Sequence, residues 1–306
     1  MKVFIKKNRN QLAMWGLMLP GLIYIFIFHY VPMFGLTVAF KDYSAFKGIF
    51  GSPWADMNGF EHFYNFLTMP DFWNLIWNTL KLSLTSLLFA TIPPAAFALL
   101  INEITGKRFK QVVQTISYAP YFISMVVVVS MLFIFTNAET GIINRLLEMI
   151  GVEAIPFMER ADMFVGMYVA SGVWQGLGWA AIIYVGTLAS VDQSLHEAAA
   201  LDGASRFQRV IHINLPTIVP IMLIMLIMNV GNLLNVGFEK VYLMQTAGNL
   251  SASRIISTYV YEVSLKASIP QYSYATAIGL FNSVVNIILL VITNMICKKK
   301  GDISLW

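Results

Sequence analysis

The sequence contains very little cysteine and very little charge. Cys297 is the single cysteine among 306 residues, which excludes an intrachain disulfide and a metal site built from several cysteines. Charged residues make up only 12% of the chain, against about 25% in soluble domains. Hydrophobic residues reach 58% and the mean hydropathy is +0.68, so the composition predicts a membrane protein.

The usual sequence signatures of catalysis are also missing. The chain has no GxxxxGK phosphate-binding loop, no nucleophile elbow and no His-Glu-x-x-His pair. Its four histidines are scattered, so they indicate no shared metal site. We therefore predict no catalytic residue, no metal and no cofactor bound by this chain.

Long apolar runs make up most of the sequence. A spanning helix needs about 20 mostly apolar residues, because the bilayer core offers no water to the backbone. Several runs contain proline, which neighbouring helices make tolerable in a membrane. We predict an all-α, polytopic membrane protein with a single domain over residues 1–306. Its six transmembrane helices are expected at 12–38, 73–101, 112–135, 163–188, 218–236 and 275–297.

Basic residues indicate the orientation of these helices, because short loops rich in Lys and Arg stay in the cytoplasm. With the N-terminus inside, twelve of the 20 Lys and Arg residues are cytoplasmic, whereas eleven of the 16 acidic residues are external. We predict that both termini are cytoplasmic. The first run is too long for a signal peptide, so we expect a retained helix. The charge of +4 belongs to this topology and indicates no nucleic-acid partner. The cytoplasmic basic residues are Lys2, Lys6, Lys7, Arg9, Lys107, Arg108, Lys110, Arg206, Arg209, Lys298, Lys299 and Lys300.

The cytoplasmic connection over residues 191–216 carries signals of a short helix at the membrane face. Asp192 and Ser194 can cap its N-terminus, Glu197 is predicted in the first turn, and alanines follow. Small residues on such a helix leave its surface shallow enough to enter a groove of a partner protein.

The spacing in this connection is Glu-Ala-Ala, three residues, Gly, nine residues, then Ile-x-Leu-Pro. In this pattern it resembles the signature loop of the membrane subunits of binding-protein-dependent ABC importers. The resemblance implies a coupling helix that docks in a cleft of a cytoplasmic ATPase. Pro216 also suits the first turn of the fifth helix, where its missing N–H costs nothing. The residues assigned to ATPase coupling are Glu197, Ala198, Ala199, Asp202, Gly203, Ile213, Leu215 and Pro216.

Further segments resemble the carbohydrate-uptake branch of that family, with a likeness to permeases for oligosaccharides or polysaccharide fragments in Gram-positive bacteria. The resemblance implies a multi-pass subunit of a bacterial plasma membrane. It also implies a second, homologous permease in a heterodimer, two cytoplasmic ATPase subunits that bind ATP and Mg, and an extracellular substrate-binding lipoprotein. The segments are 174–184, 256–261 and 277–285, with Tyr118, Pro120, Tyr121, Ser124, Ser304, Leu305 and Trp306.

Polar side chains within the apolar runs are candidates for a substrate path, because in lipid they face other helices or water. Amides and aromatic rings can bind the hydroxyls and flat CH faces of sugars. Interhelical hydrogen bonding, at about 1 kcal/mol per pair, is the alternative role, and it is preferred for the tryptophans. Gly172 and Gly176 are predicted to mark close helix packing. The candidates are Asn229, Asn232, Asn235, Asn282, Asn286, Gln175 and Trp174.

Two other functions stay open from the residues alone. The chain could be the permease of an importer for another solute, such as a peptide or an amino acid. A polytopic membrane enzyme is the less favoured alternative, since the catalytic signatures named above are missing.

Overall fold

The computed structural model describes residues 9–301, with side chains over residues 14–299. Within that part of the chain the only extended pairing is an isolated bridge between Lys41 and Trp54. The regular structure is therefore helical, which confirms the predicted all-α class. Lys2, Lys6, Lys7, Ser304, Leu305 and Trp306 lie outside the described residues, and so do the side chains of Arg9 and Lys300.

The apolar runs form the long helices, and the polar stretches form short helices and turns. The first helix continues beyond Ile25 through a π-helical turn, Phe26–Tyr30, and ends in a 3-10 turn, Phe34–Phe40. Single-turn helices and one further π-helical turn lie at Gly48–Gly51, Asp56–Gly59, Leu250–Ser253 and Glu262–Lys266. The principal helices are α1 (Arg9–Ile25), α2 (Glu61–Thr68), α3 (Phe72–Asn102), α4 (Lys107–Tyr118), α5 (Met125–Phe135), α6 (Ile142–Met149), α7 (Phe164–Leu188), α8 (Gln193–Leu201), α9 (Arg206–Val230), α10 (Phe238–Met244), α11 (Ile256–Tyr261) and α12 (Tyr272–Gly301).

Five helical segments of the described chain have the length and hydropathy of a membrane span. They correspond to five of the six predicted segments, so the polytopic class is confirmed. The segments are Met14–Phe40, Phe72–Asn102, Phe164–Leu188, Arg206–Val230 and Tyr272–Lys299.

The sixth predicted segment, 112–135, is broken instead of straight. α4 and the turn after it end at Phe122, and α5 starts at Met125 after a bend of 98°. Ile123 and Ser124 between them have extended backbone. Pro120 lacks the N–H that would continue the helix, and an extended Ser124 starts a new one. Together α4 and α5 have the length and hydropathy of a span, bent at this break.

The fifth long helix departs from the prediction at both ends. It begins at Arg206 and not near the predicted residue 218, so Pro216 lies inside the helix, at the start of its part Leu215–Val230, and not in the first turn as predicted. This part continues directly from a π-helical turn, Val210–Asn214, whose wider backbone accommodates the proline ring. The helix ends at Val230, so the predicted end at residue 236 is wrong, and residues 231–234 form turns.

The chain divides into two compact units. The first comprises residues up to Met69 together with Val260–Phe281, and the second comprises Pro70–Tyr259 with the chain from Asn282 onward. In the first unit, Nζ of Lys41 donates to the carbonyl of Ile49 at 2.9 Å and holds the loop after α1. The single-domain organisation stays a prediction.

The second unit contains two apolar cores. In one, α3, α7 and α9 pack through side chains that are fully or almost fully buried. The other joins α7 to α3, α5 and α10. The members of the first are Ala95, Ala98, Ala181, Tyr184, Leu188 and Ile218, and those of the second include Leu82, Val129, Phe164, Val169 and Val241.

Candidate functional site

The connection between α7 and α9 contains a helix that is capped at its N-terminus. The Asp192 carboxylate accepts a hydrogen bond from the N–H of Ser194 at 2.9 Å, which lowers the pKa of Asp192. α8 starts at Gln193 and carries no acidic residue in its first turn. Glu197 is therefore in the second turn, later than predicted, because the helix begins directly after its cap.

Gly203 ends α8 in a left-handed conformation, with φ of +80°. The N–H of Gly203 donates to the carbonyl of Ala200 at 3.1 Å, and the N–H of Ala204 donates to that of Ala199 at 2.9 Å. This pair of bonds is a Schellman motif, in which glycine avoids the penalty a Cβ would meet. The space around the glycine is open, because an added Cβ would meet nothing within 4 Å. Gly203 thus allows the left-handed backbone conformation that ends α8, and its lack of a side chain also keeps this part of the surface shallow.

The side chains around this turn form an exposed apolar surface. Leu201 is 90% exposed and Phe207 is 74% exposed, one on each side of Gly203 in the sequence. Ala198 and Glu197 are exposed as well, and Ala199 is half-buried. Exposed apolar side chains grouped with small residues are typical of a protein-binding surface.

The remaining part of the predicted motif lies within α9. Ser205 and Gln208 form a capping box at the start of that helix. Ile213 and Leu215 are half-buried and Pro216 is exposed. Asn214 between them is fully buried, and its Nδ2 donates to Oε1 of Glu103 at 3.3 Å. This bond ties the first half of α9 to the residue that follows α3.

The break between α4 and α5 is held by α7. Nε2 of Gln175 donates at 2.9 Å to the carbonyl of Ile123, which lies in the extended part of the break. The Trp179 ring stacks on Tyr121, with centroids 4.4 Å apart. Gln175, a candidate for the substrate path, therefore has a structural partner.

Gly178 lets α7 approach the end of α4. A Cβ on this buried glycine would lie 2.2 Å from the carbonyl oxygen of Ser117. At Gly176 an added Cβ would meet nothing within 4 Å, and at Gly172 it would meet Nζ of Lys240 at 3.2 Å. The prediction that Gly172 and Gly176 mark close helix packing is therefore wrong. The close approach of two helices occurs at Gly178 instead.

Three adjoining cavities run along α3, α7 and α9. The α3–α7 cavity has a volume of about 250 Å³ and is lined by Ser86, Tyr168, Gly172 and Gly176, among others. The asparagine cavity, of about 210 Å³, shares Ser86 and Tyr168 and adds Asn229 and Asn232. The tryptophan cavity, of about 620 Å³, is lined by Asn229 and Trp179. Ala90 borders all three.

The predicted path residues separate into two groups. Asn229 and Asn232 line cavities, whereas three other asparagines are held by hydrogen bonds. Nδ2 of Asn282 donates to Oδ1 of Asn235 at 2.7 Å, and Oδ1 of Asn286 accepts from the N–H of Leu234 at 3.0 Å. Trp174 is 47% exposed and is not among the lining residues of the three cavities.

Sequence reasoning did not find Lys240 or Tyr168. Lys240 is only 4% exposed, and its Nζ donates to the carbonyl of Tyr168 at 2.7 Å and lies 4.5 Å from the centre of that ring. Burial lowers the pKa of Lys240 to about 8. The available signal was a lysine in a mostly apolar stretch after the fifth span, since burying its charge is costly.

The fold and the loop define the class of protein. Long apolar helices with a capped, exposed helix between two of them fit a membrane subunit that binds a partner through that helix. Residues 95–300 match the family described as "Binding-protein-dependent transport system inner membrane component", and the chain belongs to this family. It is a multi-pass membrane transport subunit and not an enzyme.

Curated relatives and solved structures agree with the family over nearly the full length. Protein LplB of Bacillus subtilis (strain 168) is 45% identical, over 92% of this chain and 87% of LplB. The polygalacturonan/rhamnogalacturonan transport system permease protein YteP of the same organism is 39% identical, over 99% and 96%. The crystal structure of a bacterial ABC transporter that imports the acidic polysaccharide alginate matches with a TM-score of 0.88 and 34% identity, over 98% of this chain and 100% of that one. A second structure of an alginate transporter, in complex with an alginate pentasaccharide-bound periplasmic protein, matches with a TM-score of 0.89.

Proposed function

We propose that this chain forms half of the translocation path of an ATP-driven oligosaccharide importer and couples it to an ATPase through α8 and the turn at Gly203. The observation that carries the proposal is the α8 surface, where small and apolar side chains are exposed on a helix capped at both ends. A rigid helix of this kind can enter a cleft, because its backbone hydrogen bonds need no help from the partner.

A hydrogen bond and a shared apolar core connect α8, through the helices on either side of it, to the proposed path. α8 follows α7 directly, and the residues after Gly203 lead into α9. α3, α7 and α9 share the core around Ala98, Tyr184 and Ile218, and Asn214 ties α9 to Glu103 after α3. Movement of α8 therefore acts on the three helices that border the cavities.

The partners follow from the proposed function. ATP and Mg are bound by two cytoplasmic ATPase subunits, and a second, homologous permease completes the path as a heterodimer. An extracellular lipoprotein delivers the sugar, consistent with the complex of the alginate transporter with a periplasmic protein. Both termini and α8 face the cytoplasm of a bacterial plasma membrane, as the charge distribution indicates.

The substrate is an oligosaccharide. The names of YteP and of the alginate transporter refer to polysaccharides or their fragments. Asn229 and Asn232 offer amides at the asparagine cavity, and the Trp179 ring borders the tryptophan cavity next to Asn229. Amides bind sugar hydroxyls, and aromatic rings bind the CH faces.

The test is uptake of labelled oligosaccharide by proteoliposomes that contain the complete complex and its binding protein. We expect uptake to need ATP and to fall several-fold in Asn229→Leu, with the amount of assembled complex unchanged. Asn235→Leu is the matched control, since its amide bonds Asn282. ATP-independent uptake, or an equal effect of the two substitutions per assembled complex, would contradict the proposal.

A further inference from the structure

We infer that Lys240 gives the path a preference for sugars that carry a carboxylate, by placing a positive charge behind the wall of the α3–α7 cavity. The inference rests on the proposed function, because it names the chemical class of the substrate.

The ammonium group of Lys240 is buried with few partners. Nζ donates to the Tyr168 carbonyl at 2.7 Å and lies over the Tyr168 ring, 4.5 Å from its centre. That carbonyl is shared, since Oγ of Ser171 also donates to it at 3.1 Å. Lys240 has no carboxylate partner within the described part of the chain. A buried charge in this state gains more from an approaching anion than a hydrated charge does.

The helices around the cavities supply no counter-charge. α3, α7 and α9 contain no Asp or Glu at any position, and α5 contains no charged residue. Glu239, next to Lys240 on α10, is exposed. The field of Lys240 is therefore not cancelled by a carboxylate on these helices, and it extends over several ångströms in surroundings of low polarity.

The wall between Lys240 and the cavity is thin because it contains Gly172. A Cβ at this position would lie 3.2 Å from Nζ, so the glycine lets the ammonium lie against α7. Gly172 and Tyr168, which both lie next to Nζ, line the α3–α7 cavity, and Tyr168 also lines the asparagine cavity. The charge is thus one layer of residues away from the proposed path.

The acid–base behaviour of Lys240 is compatible with this role. Burial lowers its pKa to about 8, so the group remains mainly protonated at neutral pH. A carboxylate nearby would raise this pKa again. Uronic acids carry such a carboxylate, which is ionised at neutral pH because carboxyl groups have pKa values near 4.

The experiment uses the complete complex with its binding protein in proteoliposomes, and two labelled probes, a trimer of galacturonate and a trimer of galactose. Lys240→Gln keeps a donor for the Tyr168 carbonyl but removes the charge. Lys240→Met removes both. Lys266→Gln is the matched control, since it makes the same change of net charge at an exposed position.

We expect wild type to take up the galacturonate trimer. Uptake of this trimer by Lys240→Gln should be about tenfold lower, a change typical of the loss of one modest polar interaction. The Lys266→Gln control should stay near wild type. Equal uptake by Lys240→Gln and wild type would overturn the inference. So would equal loss of both probes, or normal uptake by Gln with loss only in Met, since these outcomes mean that Lys240 only holds α10 to α7. Uptake of the galactose trimer alone by wild type would overturn the inference and leave the proposed function intact. If wild type takes up neither trimer in an ATP-dependent manner, both the inference and the proposed function are contradicted.

Discussion

Nδ2 of Asn282 on α12 donates to Oδ1 of Asn235 at 2.7 Å, which joins the last long helix to the segment after α9. Asn286, one turn further along α12, accepts from the N–H of Leu234 at 3.0 Å. Both α12 asparagines are buried. Two consecutive turns of one helix thus fix the backbone where α9 has ended.

This relationship predicts a measurable coupling between Asn235 and Asn282. A double-mutant cycle with Asn235→Ala and Asn282→Ala should give about 1 kcal/mol, the usual range for hydrogen bonds between membrane helices. Thermal unfolding of the purified complex in detergent would provide the free energies. Uptake per assembled complex should stay near wild type in Asn235→Ala. A coupling energy of zero would mean that the hydrogen bond does not stabilise the fold.

Gly178 and Gly176 should respond in opposite ways to alanine. Gly178→Ala places a Cβ 2.2 Å from the Ser117 carbonyl oxygen, and the overlap should cost about 3 kcal/mol. Gly176→Ala meets open space and should be neutral or stabilising by up to about 1 kcal/mol, because alanine favours helices. Cys297 is buried, so its rate of reaction with a maleimide reports unfolding of this chain. Similar rates in the two variants would contradict the packing described for α7.

The features that depend on local chemistry could be predicted from the sequence. Apolar length predicted the long helices, and Asp192 predicted the start of α8. The break at Ile123 was not predicted, because its free carbonyl is satisfied by Gln175, 52 residues away. Asn229 and Asn235 look equivalent in a helical repeat, yet α9 ends between them, and only tertiary contacts decide which one is bonded. The role of Lys240 depends in the same way on Tyr168 and Gly172, which a one-dimensional pattern does not bring together.

The orientation can be tested with single cysteines in a Cys297→Ser background. Lys299→Cys should be protected from an impermeant maleimide in intact cells, because the positive-inside rule places this end in the cytoplasm. Arg145→Cys, in an exposed position of α6, should be labelled readily. Permeabilised cells provide the control, in which both positions react. Ready labelling of Lys299→Cys in intact cells would contradict the topology.

Lys240 should make stability depend on pH. Its pKa is about 8 in the fold, against an ordinary value of 10.5. Between these values the unfolded state binds more protons, so stability rises as the pH increases from about 8 to about 10.5. The shift corresponds to about 3 kcal/mol. Lys240→Gln should show a flatter dependence of the melting temperature on pH than wild type. Identical slopes would mean that the protonated lysine is not penalised by burial.

The surface around Gly203 is proposed to dock in the ATPase. Gly203→Trp adds bulk to this surface, but its φ of +80° also makes most side chains unfavourable. Gly203→Asn is therefore the matched control, since asparagine tolerates the left-handed conformation and is small. Ala198→Trp is a second bulky variant, at an exposed helical position that imposes no backbone strain.

The most direct measurement is the amount of ATPase that copurifies with each variant, together with sugar-stimulated ATP hydrolysis. Gly203→Trp and Ala198→Trp should lose the ATPase or its stimulation, because the bulky rings prevent docking, while Gly203→Asn should retain both. If the Gly203→Trp complex keeps its ATPase and hydrolyses ATP with normal stimulation, α8 and its turn are not the coupling element, and the proposed function is contradicted.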